Sequence, residues 1–557
     1  MCIQPRAGAL VPEMTARVAR ACNPRGTVAM TIRDRLEGLW SDEDFAEWYP
    51  RDGRPGFSPA QLAIASVLQF LLELSDRQAA EAVRCRIDFK YALGLELEDP
   101  GFHHSLLGDF RDRLAEDGRA DELFSLALER IKTAGLVKER GRARTDSTHV
   151  LAAVRDLTRL ELMVEAVRAA LEEIAQADMF ALRECMLPEW GPRYGRSARL
   201  GKNPSAPKTR IKQVGDDAYV LLNLVARLPS LRHVSTGQQV QALKLIYEQN
   251  YYEDAAGRRQ WRTGPSDGLP APADRIVSPY DLTARYARRG STRWTGFLAH
   301  VTETCDDGTV NIITDVATTS ATSHDSRELP AIHQRLARRE LLPVQHLVDG
   351  GYTSVQLRAD AAREHRIELI GPLHPAPPRK PRDAALFDRT AFTIDWKKQT
   401  VTCPDGKRAA RWATPRTNAP YVVATFTPRQ CGPCPLKDRC TRGKNRSLTF
   451  MPRDLGEIQD KGRAQQQTPE WKQRYALRSG AESTISEFVQ GHGMRRTRYR
   501  DQDKAHVGHV MTAIAVNAER IHALDEADEP PEPRKPTSLQ RYIDWQHYRR
   551  PRSWSTP

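Results

Sequence analysis

The hydrophobic pattern of this chain changes period along its length and so divides it into regions. Apolar residues recur at helical spacing over residues 30–140, which predicts an all-α N-terminal region. Ser58 precedes Pro59 in a predicted N-terminal capping box, and Ser75 begins a second capped helix after a tight turn. Such a pair is typical either of a DNA-reading helix-turn-helix or of plain bundle packing, and the pattern leaves both interpretations open.

From residue 293 onward, alternation of period two replaces the helical pattern. Two strands around a "DDG" turn are followed by helix, strand, helix and strand. With a further strand before Asp146, this order predicts an α/β fold, a mixed sheet flanked by helices. Two helical stretches, about 156–185 and 238–252, are separated by predicted loops. They interrupt the sheet as a helical insertion over about residues 152–290.

The remaining segments have weaker patterns. Residues 372–470 are irregular, rich in proline and bear cysteines, whereas residues 472–524 are helical again. Residues 526–557 form a proline-rich basic tail whose composition predicts disorder. Residues 1–29 are predicted to be an N-terminal extension.

Composition narrows the possible partners and compartment. The chain has 557 residues, 40% of them hydrophobic, and a net charge of +13, which favours a globular protein with an anionic partner such as nucleic acid. No apolar run approaches the roughly 18 residues of a membrane span, and no secretion signal is evident. Nine irregularly spaced cysteines do not suggest a disulfide framework. We therefore expect a cytoplasmic protein without a membrane partner.

Acidic residues at predicted strand ends are the first candidates for chemistry. Asp146 and Asp349 each end a strand, where a sheet fixes carboxylates that a divalent cation can bridge. Each Asp alone is explained equally well as the cap of a turn. A third carboxylate, Glu482, lies on one predicted helical face with Tyr475 and Arg478. Together these side chains suit metal-dependent cleavage of a nucleic acid backbone.

Basic and small residues flank this helix. Arg495, Arg496 and Arg498 follow it and could contact phosphates, although a solvated arginine face is the simpler interpretation. Gly480 lies inside the helix at a cost of about 1 kcal/mol relative to alanine, which predicts close packing there.

Three motifs carry a resemblance to a known family. "RTDSTHV" is similar to a first-aspartate motif, "LVDGGYTS" to a second-aspartate motif, and "YALRSGAE" to the Y-x2-R-x3-E part of a Tyr-Arg-Glu-Lys signature. In this order they resemble those of insertion-sequence DDE transposases with an InsH-like N-terminal domain, over roughly residues 20–525. The signature selects Glu482 rather than Glu487, and its lysine falls on Val489.

The resemblance implies a fold and an activity. The fold would be a ribonuclease H-like catalytic domain over residues 141–525, after an InsH-like DNA-binding domain over residues 30–140. The activity would be cleavage at insertion-sequence ends and strand transfer. Two Mg²⁺ or Mn²⁺ ions would be held by the acid triad, and Tyr475 and Arg478 would position the DNA backbone. A nuclease of the same fold and a domesticated, non-catalytic DNA-binding protein are the alternatives. The acid triad is Asp146, Asp349 and Glu482.

The implied partners are double-stranded DNA and a second copy of the chain. The DNA would comprise the element's terminal inverted repeats and the target. Joining two ends implies a homodimer in a synaptic complex, in a bacterial, nucleoid-associated setting.

Four cysteines cluster in the irregular segment and suggest a structural metal. Cys403, Cys431, Cys434 and Cys440 supply the four thiolates that suit tetrahedral Zn²⁺. Similar cysteine-bearing insertions occur in this branch of transposases. An Fe–S cluster and four unligated cysteines remain as alternatives. The spacing departs from a true zinc ribbon, because Gly406 stands where the second cysteine of the first pair would be.

Overall fold

A computed structural model describes residues 10–50, 52–53, 56–200, 204–373, 386–415, 420–526 and 536–548. Parts of the predicted N-terminal extension, cysteine-bearing insertion and tail lie outside these residues. The N-terminal region is helical, as predicted, and includes a first helix that the sequence had assigned to the extension. Its helices are α1 (Glu13–Cys22), α2 (Val28–Leu36), α3 (Pro59–Leu71), α4 (Asp76–Cys85), α5 (Ile87–Leu93), α6 (Ser105–Leu114) and α7 (Arg119–Thr133).

The two predicted helix caps at α3 and α4 differ. The Ser75 and Gln78 side chains cap α4 reciprocally, which completes a capping box. At α3 the Ser58 hydroxyl accepts from the Gln61 amide N–H at 3.1 Å, but the Gln61 side chain instead donates to the Leu93 carbonyl. The predicted box at α3 is therefore only half formed, because Gln61 is used to bind α5.

Strand β1 (Arg142–Leu151) enters the sheet, and the chain then leaves it for the helical insertion. The predicted loop between the two helical stretches of this insertion is wrong, since it contains a helix of 21 residues. The insertion has its own apolar core around Trp190 and Leu221. Its elements are α8 (Arg159–Ala177), α9 (Met179–Cys185), α10 (Trp190–Tyr194), α11 (Pro207–Arg227), α12 (Gln238–Asn250), β2 (Tyr251–Glu253) and β3 (Arg259–Trp261).

The chain returns to the sheet in the predicted order of two strands, helix, strand, helix and strand. One short strand, β4, precedes them and was not predicted. These elements are β4 (Arg285–Arg289), β5 (Thr292–Thr304), β6 (Ile313–Ser320), α13 (Asp325–Arg338), β7 (Gln345–Val348), α14 (Val355–His365) and β8 (Glu368–Ile370). The strand order is β4-β5-β1-β7-β8, with β6 also paired to β5. The β1–β7 and β7–β8 pairs are parallel and the others antiparallel, so the sheet is mixed, as predicted.

The segment predicted to be irregular folds into a small module of short strands and helices. Its strands pack around Phe392, Phe426 and Phe450, with Trp412 edge-on to Phe450. The prediction of an irregular segment is therefore wrong for its described part. Its elements are β9 (Thr393–Asp395), β10 (Thr400–Thr402), β11 (Arg411–Ala413), β12 (Val422–Thr425), α15 (Pro428–Cys431), α16 (Lys437–Cys440), β13 (Ser447–Phe450) and α17 (Arg453–Gln465).

The C-terminal helices close the fold. Helix α20 is buried along most of its length and packs against β6 as well as against α3 and α7. The sheet and the N-terminal helices consequently share one hydrophobic core. A last helix lies in the tail that was predicted to be disordered, and its side chains are mostly exposed. These helices are α18 (Pro469–Ala476), α19 (Gly480–Ser486), α20 (Gln502–Glu526) and α21 (Ser538–Trp545).

Candidate active site

The two candidate aspartates are neighbours on adjacent strands of the sheet. Thr145 of β1 is paired in parallel with Val348 of β7, so the next residues, Asp146 and Asp349, lie side by side where β7 ends. The prediction that Asp146 also ends its strand is wrong, because β1 continues to Leu151 and pairs with β5 over this stretch. Each carboxylate is fixed by a nearby backbone N–H: that of Ser147 donates to Asp146 at 2.8 Å, and that of Gly351 donates to Asp349 at 2.8 Å. The sheet register thus brings together two acids that are about 200 residues apart in the sequence.

Crowding around Asp349 explains the glycine and tyrosine of its motif. A Cβ atom on Gly351 would lie 2.8 Å from the Asp325 carboxylate and 3.0 Å from that of Asp349. Tyr352 is fully buried, and its hydroxyl lies 2.5 Å from Nδ1 of His300. The turn therefore holds the Asp349 carboxylate at the surface while Tyr352 fastens the following residues to the core.

Arg478 joins the first aspartate to the third candidate acid. Its guanidinium donates to Asp146 at 2.7 Å and to Glu482 at 2.7 Å. The Glu482 side chain is 66% exposed, whereas those of Asp146 and Arg478 are 14% and 16% exposed. The helical segment thus brings one exposed carboxylate and one mostly buried cation to Asp146.

The pKa shifts show how closely these charges are placed. Burial raises the pKa of Asp146, and Asp349 adds to this rise while Arg478 opposes it. Burial alone would lower the pKa of Arg478, but Asp146, Tyr475, Asp349 and Glu482 outweigh it and raise that pKa. Arg478 therefore interacts with all three candidate acids at once.

A buried ion network fixes the helix that carries Glu482. Arg144 donates to Glu303 at 2.7 Å and to the Leu477 carbonyl at 2.8 Å, so strand β1 holds the turn before α19. The second oxygen of Glu303 accepts from Thr484 of α19 and from Arg520 of α20, both at 2.7 Å. Burial makes this network costly to leave incomplete, so it holds α19 firmly against the sheet.

Gly480 lies where this network passes closest to the helix. A Cβ atom there would overlap the guanidinium of Arg144. The close packing predicted from this glycine is confirmed, and its cause is the approach of Arg144 to the helix backbone.

Glu487, the rejected alternative to Glu482, is placed differently. Its carboxylate accepts from Arg520 at 2.5 Å, in a π-helical turn at Glu487–Gly491. It thus belongs to the ion network that joins α19 to α20, and its partner is not one of the two aspartates. Val489, where the signature would have its lysine, is partly buried in the same turn.

The predicted DNA-contacting residues fall into two groups. Tyr475 stacks on Trp471, with ring centroids 4.8 Å apart, beside the acids. Of the arginines, Arg495 donates to the Thr148 hydroxyl at 3.0 Å and Arg496 is exposed. Arg498 is also exposed, but its guanidinium donates to the backbone carbonyls of Glu73 and Leu74 at 3.0 and 2.9 Å. Arg498 therefore connects the turn before α4 to the catalytic region.

A fourth acid lies near the site, is buried, and was not predicted to belong to it. Asp325, the first residue of α13, accepts from Arg289 at 2.9 Å and from the Ser147 hydroxyl at 3.2 Å. Because Ser147 follows Asp146 and Asp325 lies against the Asp349 turn, this carboxylate braces both aspartates. Asp325 is not the N-cap of α13, because His324 takes that position. Its position next to the predicted end of β6 was the signal available in the sequence.

The four candidate zinc ligands line one small cavity together with Phe392 and Phe426. Burial raises the pKa of Cys440, and the other three cysteines add to the rise. As the side chains stand, however, no three His, Cys, Asp or Glu residues in the described ranges are close enough together to hold a metal ion. The cysteines are Cys403, Cys431, Cys434 and Cys440.

Two known protein families match parts of this chain. A family described as transposase DDE domain matches residues 402–522, and one described as transposase domain (DUF772) matches residues 17–113. These two domains support an insertion-sequence DDE transposase. The first match contains Tyr475, Arg478 and Glu482, and the second contains helices α3 and α4.

Both candidate aspartates lie outside these matches. Their assignment therefore depends on the motifs and on the sheet register. No curated protein matches the chain, and no solved structure matches it either. Among the described helices, none is both long and apolar enough to cross a bilayer.

Proposed function

We propose that this chain is a DNA transposase whose catalytic acids are Asp146, Asp349 and Glu482, on a ribonuclease H-like fold. The observation that carries the proposal is the convergence of all three carboxylates on one cation, Arg478. The central strand of a mixed sheet supplies the first acid, its parallel neighbour the second, and a helix packed on the sheet the third. The transposase domain matches support the same activity.

The acids fit a divalent cation by their chemistry. Carboxylate oxygens are the ligands that Mg²⁺ and Mn²⁺ prefer, and the position now shared with Arg478 is one that a cation favours. Asp146, Asp349 and Glu482 would hold the ions. When bound, such ions would stabilise charge on the attacking and leaving oxygens of a phosphodiester.

The protein's own groups prepare this site. The N–H groups of Ser147 and Gly351 aim the two aspartates, and the Arg144–Glu303 network fixes the helix of Glu482. If these acids held cations, Arg478 would be available to bind a DNA phosphate in a bidentate manner. Tyr475, Arg495 and Arg496 would extend this contact along the backbone, whereas the bonds of Arg498 to the turn before α4 favour a structural role.

The cysteine module would hold one structural Zn²⁺. The four cysteines share one cavity and together supply four thiol donors, the number and kind that tetrahedral zinc takes. Its role would be to keep the module folded between the second aspartate and the glutamate.

A strand-transfer assay tests the proposal. Purified protein is incubated with a duplex that carries the sequences flanking its own gene, with and without Mg²⁺, beside the Asp349→Asn variant. We expect Mg²⁺-dependent end cleavage and joining that the variant loses. Cleavage without joining would indicate a nuclease of the same fold. Binding without chemistry in either protein would indicate a domesticated DNA-binding protein.

A further inference from the structure

The helical insertion contains a basic cleft that the catalytic proposal does not use. A cavity of about 610 Å³ lies between residues 191–200 and the first turns of α11. Among the described residues that line it there is no Asp or Glu, and four of them are arginines. These are Arg193, Arg196, Arg199 and Arg210.

The local sequence is far more basic than the chain as a whole. Residues 190–215 contain seven Lys or Arg residues and no Asp or Glu, whereas the whole chain has 84 basic and 71 acidic residues. A concentration of one charge sign in a short stretch of sequence costs repulsion between like charges, which an anionic partner would relieve. The seven are Arg193, Arg196, Arg199, Lys202, Lys208, Arg210 and Lys212.

Two buried acids hold the backbone of the strap 196–200 that forms one wall of the cleft. The N–H of Ala198 donates to Glu165 at 3.0 Å, and that of Leu200 donates to Glu161 at 2.8 Å. Both glutamates lie on the same face of α8, one helical turn apart, and both are buried. These acids accept hydrogen bonds from the backbone of the strap and not from its arginine side chains, which can therefore face the cleft.

The four arginines are not equivalent. Arg193 is paired with Asp217 at 2.6 Å, so its charge is compensated and it forms part of the wall. In the described part of the chain, Arg196 and Arg199 have no acidic partner, and both are exposed. Arg210 donates to the Ser205 carbonyl at 2.8 Å, which orients its guanidinium but does not neutralise it. Three uncompensated positive charges therefore face one cavity.

We propose that this cleft binds backbone phosphates of duplex DNA. The inference rests on the proposed function and adds a second DNA-binding surface to it. Arginine forks match phosphate oxygens in a bidentate manner, and a series of separated guanidiniums along an open cleft suits a polyanion better than a single small anion.

The strap is also linked to the basic run near the catalytic helix. The guanidinium of Arg500 lies 4.7 Å from the ring centre of Tyr280, and the Tyr280 hydroxyl donates to Glu165 at 2.7 Å. Glu165 in turn holds Ala198. A continuous series of contacts thus connects the cleft to the basic run that follows the helix of Glu482.

The test measures binding of full-length protein to a duplex with the flanking sequence, by fluorescence anisotropy over a salt series. The variant Arg196→Gln/Arg199→Gln/Arg210→Gln removes three phosphate contacts. It should bind at least about tenfold more weakly near 0.1 M salt and lower the slope of log K against log salt by about 3. The matched control, Arg227→Gln/Arg232→Gln/Lys244→Gln, removes the same charge from exposed positions of the insertion outside the cleft.

The controls separate this inference from the proposed function. If the wild type does not bind DNA, both proposals fail. If it binds and the cleft and control variants are weakened equally or not at all, the cleft is rejected while the transposase activity can stand. The double variant Arg196→Gln/Arg199→Gln touches only exposed side chains without acidic partners and guards against misfolding. It should lower the slope by about 2, and an unchanged slope would overturn the inference.

Discussion

The acid cluster and the cysteine module hold their chemical groups in different ways. Asp146 lies within one strand and Asp349 at the end of its neighbour in a six-stranded sheet, and a buried network of Arg144, Glu303 and Arg520 holds the helix of Glu482. The described strands of the cysteine module have only three or four residues, and its described core has eight buried residues. The acids are thus positioned before any ligand binds, whereas the module has little besides its cysteines to keep it folded.

The largest expected effect is on strand-transfer activity, and it should distinguish two glutamates of one helical segment, Glu482 and Glu487. Glu482→Gln should lower strand transfer about 1,000-fold or more, because a carboxamide is a poor ligand for a hard cation. Its melting temperature and DNA affinity should stay at the wild-type values, since Glu482 is largely exposed.

Glu487→Gln is the matched variant. It should keep its chemistry at low temperature but lose about 1–3 kcal/mol of stability, because it weakens the ion pair with Arg520. The reverse result, with chemistry lost in Glu487→Gln and retained in Glu482→Gln, would exchange the roles of the two residues.

Metal removal should affect the cysteine module and leave the acids in place. We expect Cys434→Ser to reduce zinc content from about one per chain to none and to make residues 386–450 sensitive to protease. Cys85→Ser, at an exposed cysteine far from the module in the sequence, is the control. Elemental analysis and limited proteolysis measure both effects. Full zinc content with an unchanged digestion pattern in Cys434→Ser would exclude the zinc proposal.

Acid should destabilise the sheet region through two buried histidines. Burial lowers the pKa of His300 from 6.5 to about 4 and that of His333 to about 4. The unfolded chain therefore binds protons that the folded chain excludes. Stability is full above about pH 6.5 and decreases as the pH falls toward 4, by up to about 3 kcal/mol for each histidine.

Thermal unfolding between pH 7 and pH 4 measures this loss. His300→Gln should flatten part of the slope, because the amide does not titrate in this range. His233→Gln, at an exposed position, should leave the slope unchanged. An identical slope in all three proteins would contradict the assignment to buried histidines.

The smallest expected effect compares two helical glycines. Gly480→Ala should cost about 1–3 kcal/mol, because its methyl group overlaps Arg144 and displaces the helix of Glu482. In Gly456→Ala the added methyl meets no atom within 4 Å, so this variant should be neutral or slightly stabilised. Chemical denaturation measures both. Equal stabilities would mean that Arg144 moves away at no cost.

The sequence predicted what depends on local period and motif order. The strands and helices after residue 293 alternate clearly, and Gly480 correctly predicted close packing, which is with Arg144. Helix α11 was missed, because its first turns are basic and Gly215 with two aspartates interrupts its apolar face. The Asp325–Arg289 pair joins residues 36 apart and depends on tertiary packing, which periodicity does not contain. The strands of the cysteine module were not predicted, because three or four residues are too few to show a periodic alternation of apolar and polar positions.

Helix α20 gives the molecule a fixed internal length. Because α3 and β6 both pack on this one helix in a continuous core, the N-terminal helices are not a separate body on a tether. If α4 touches DNA, the number of base pairs between that contact and the cut phosphate is then set by the protein itself. The chain would act as a ruler. Moving the recognised sequence by half a helical turn of DNA, about 5 base pairs, should displace the cleaved bond from the acids.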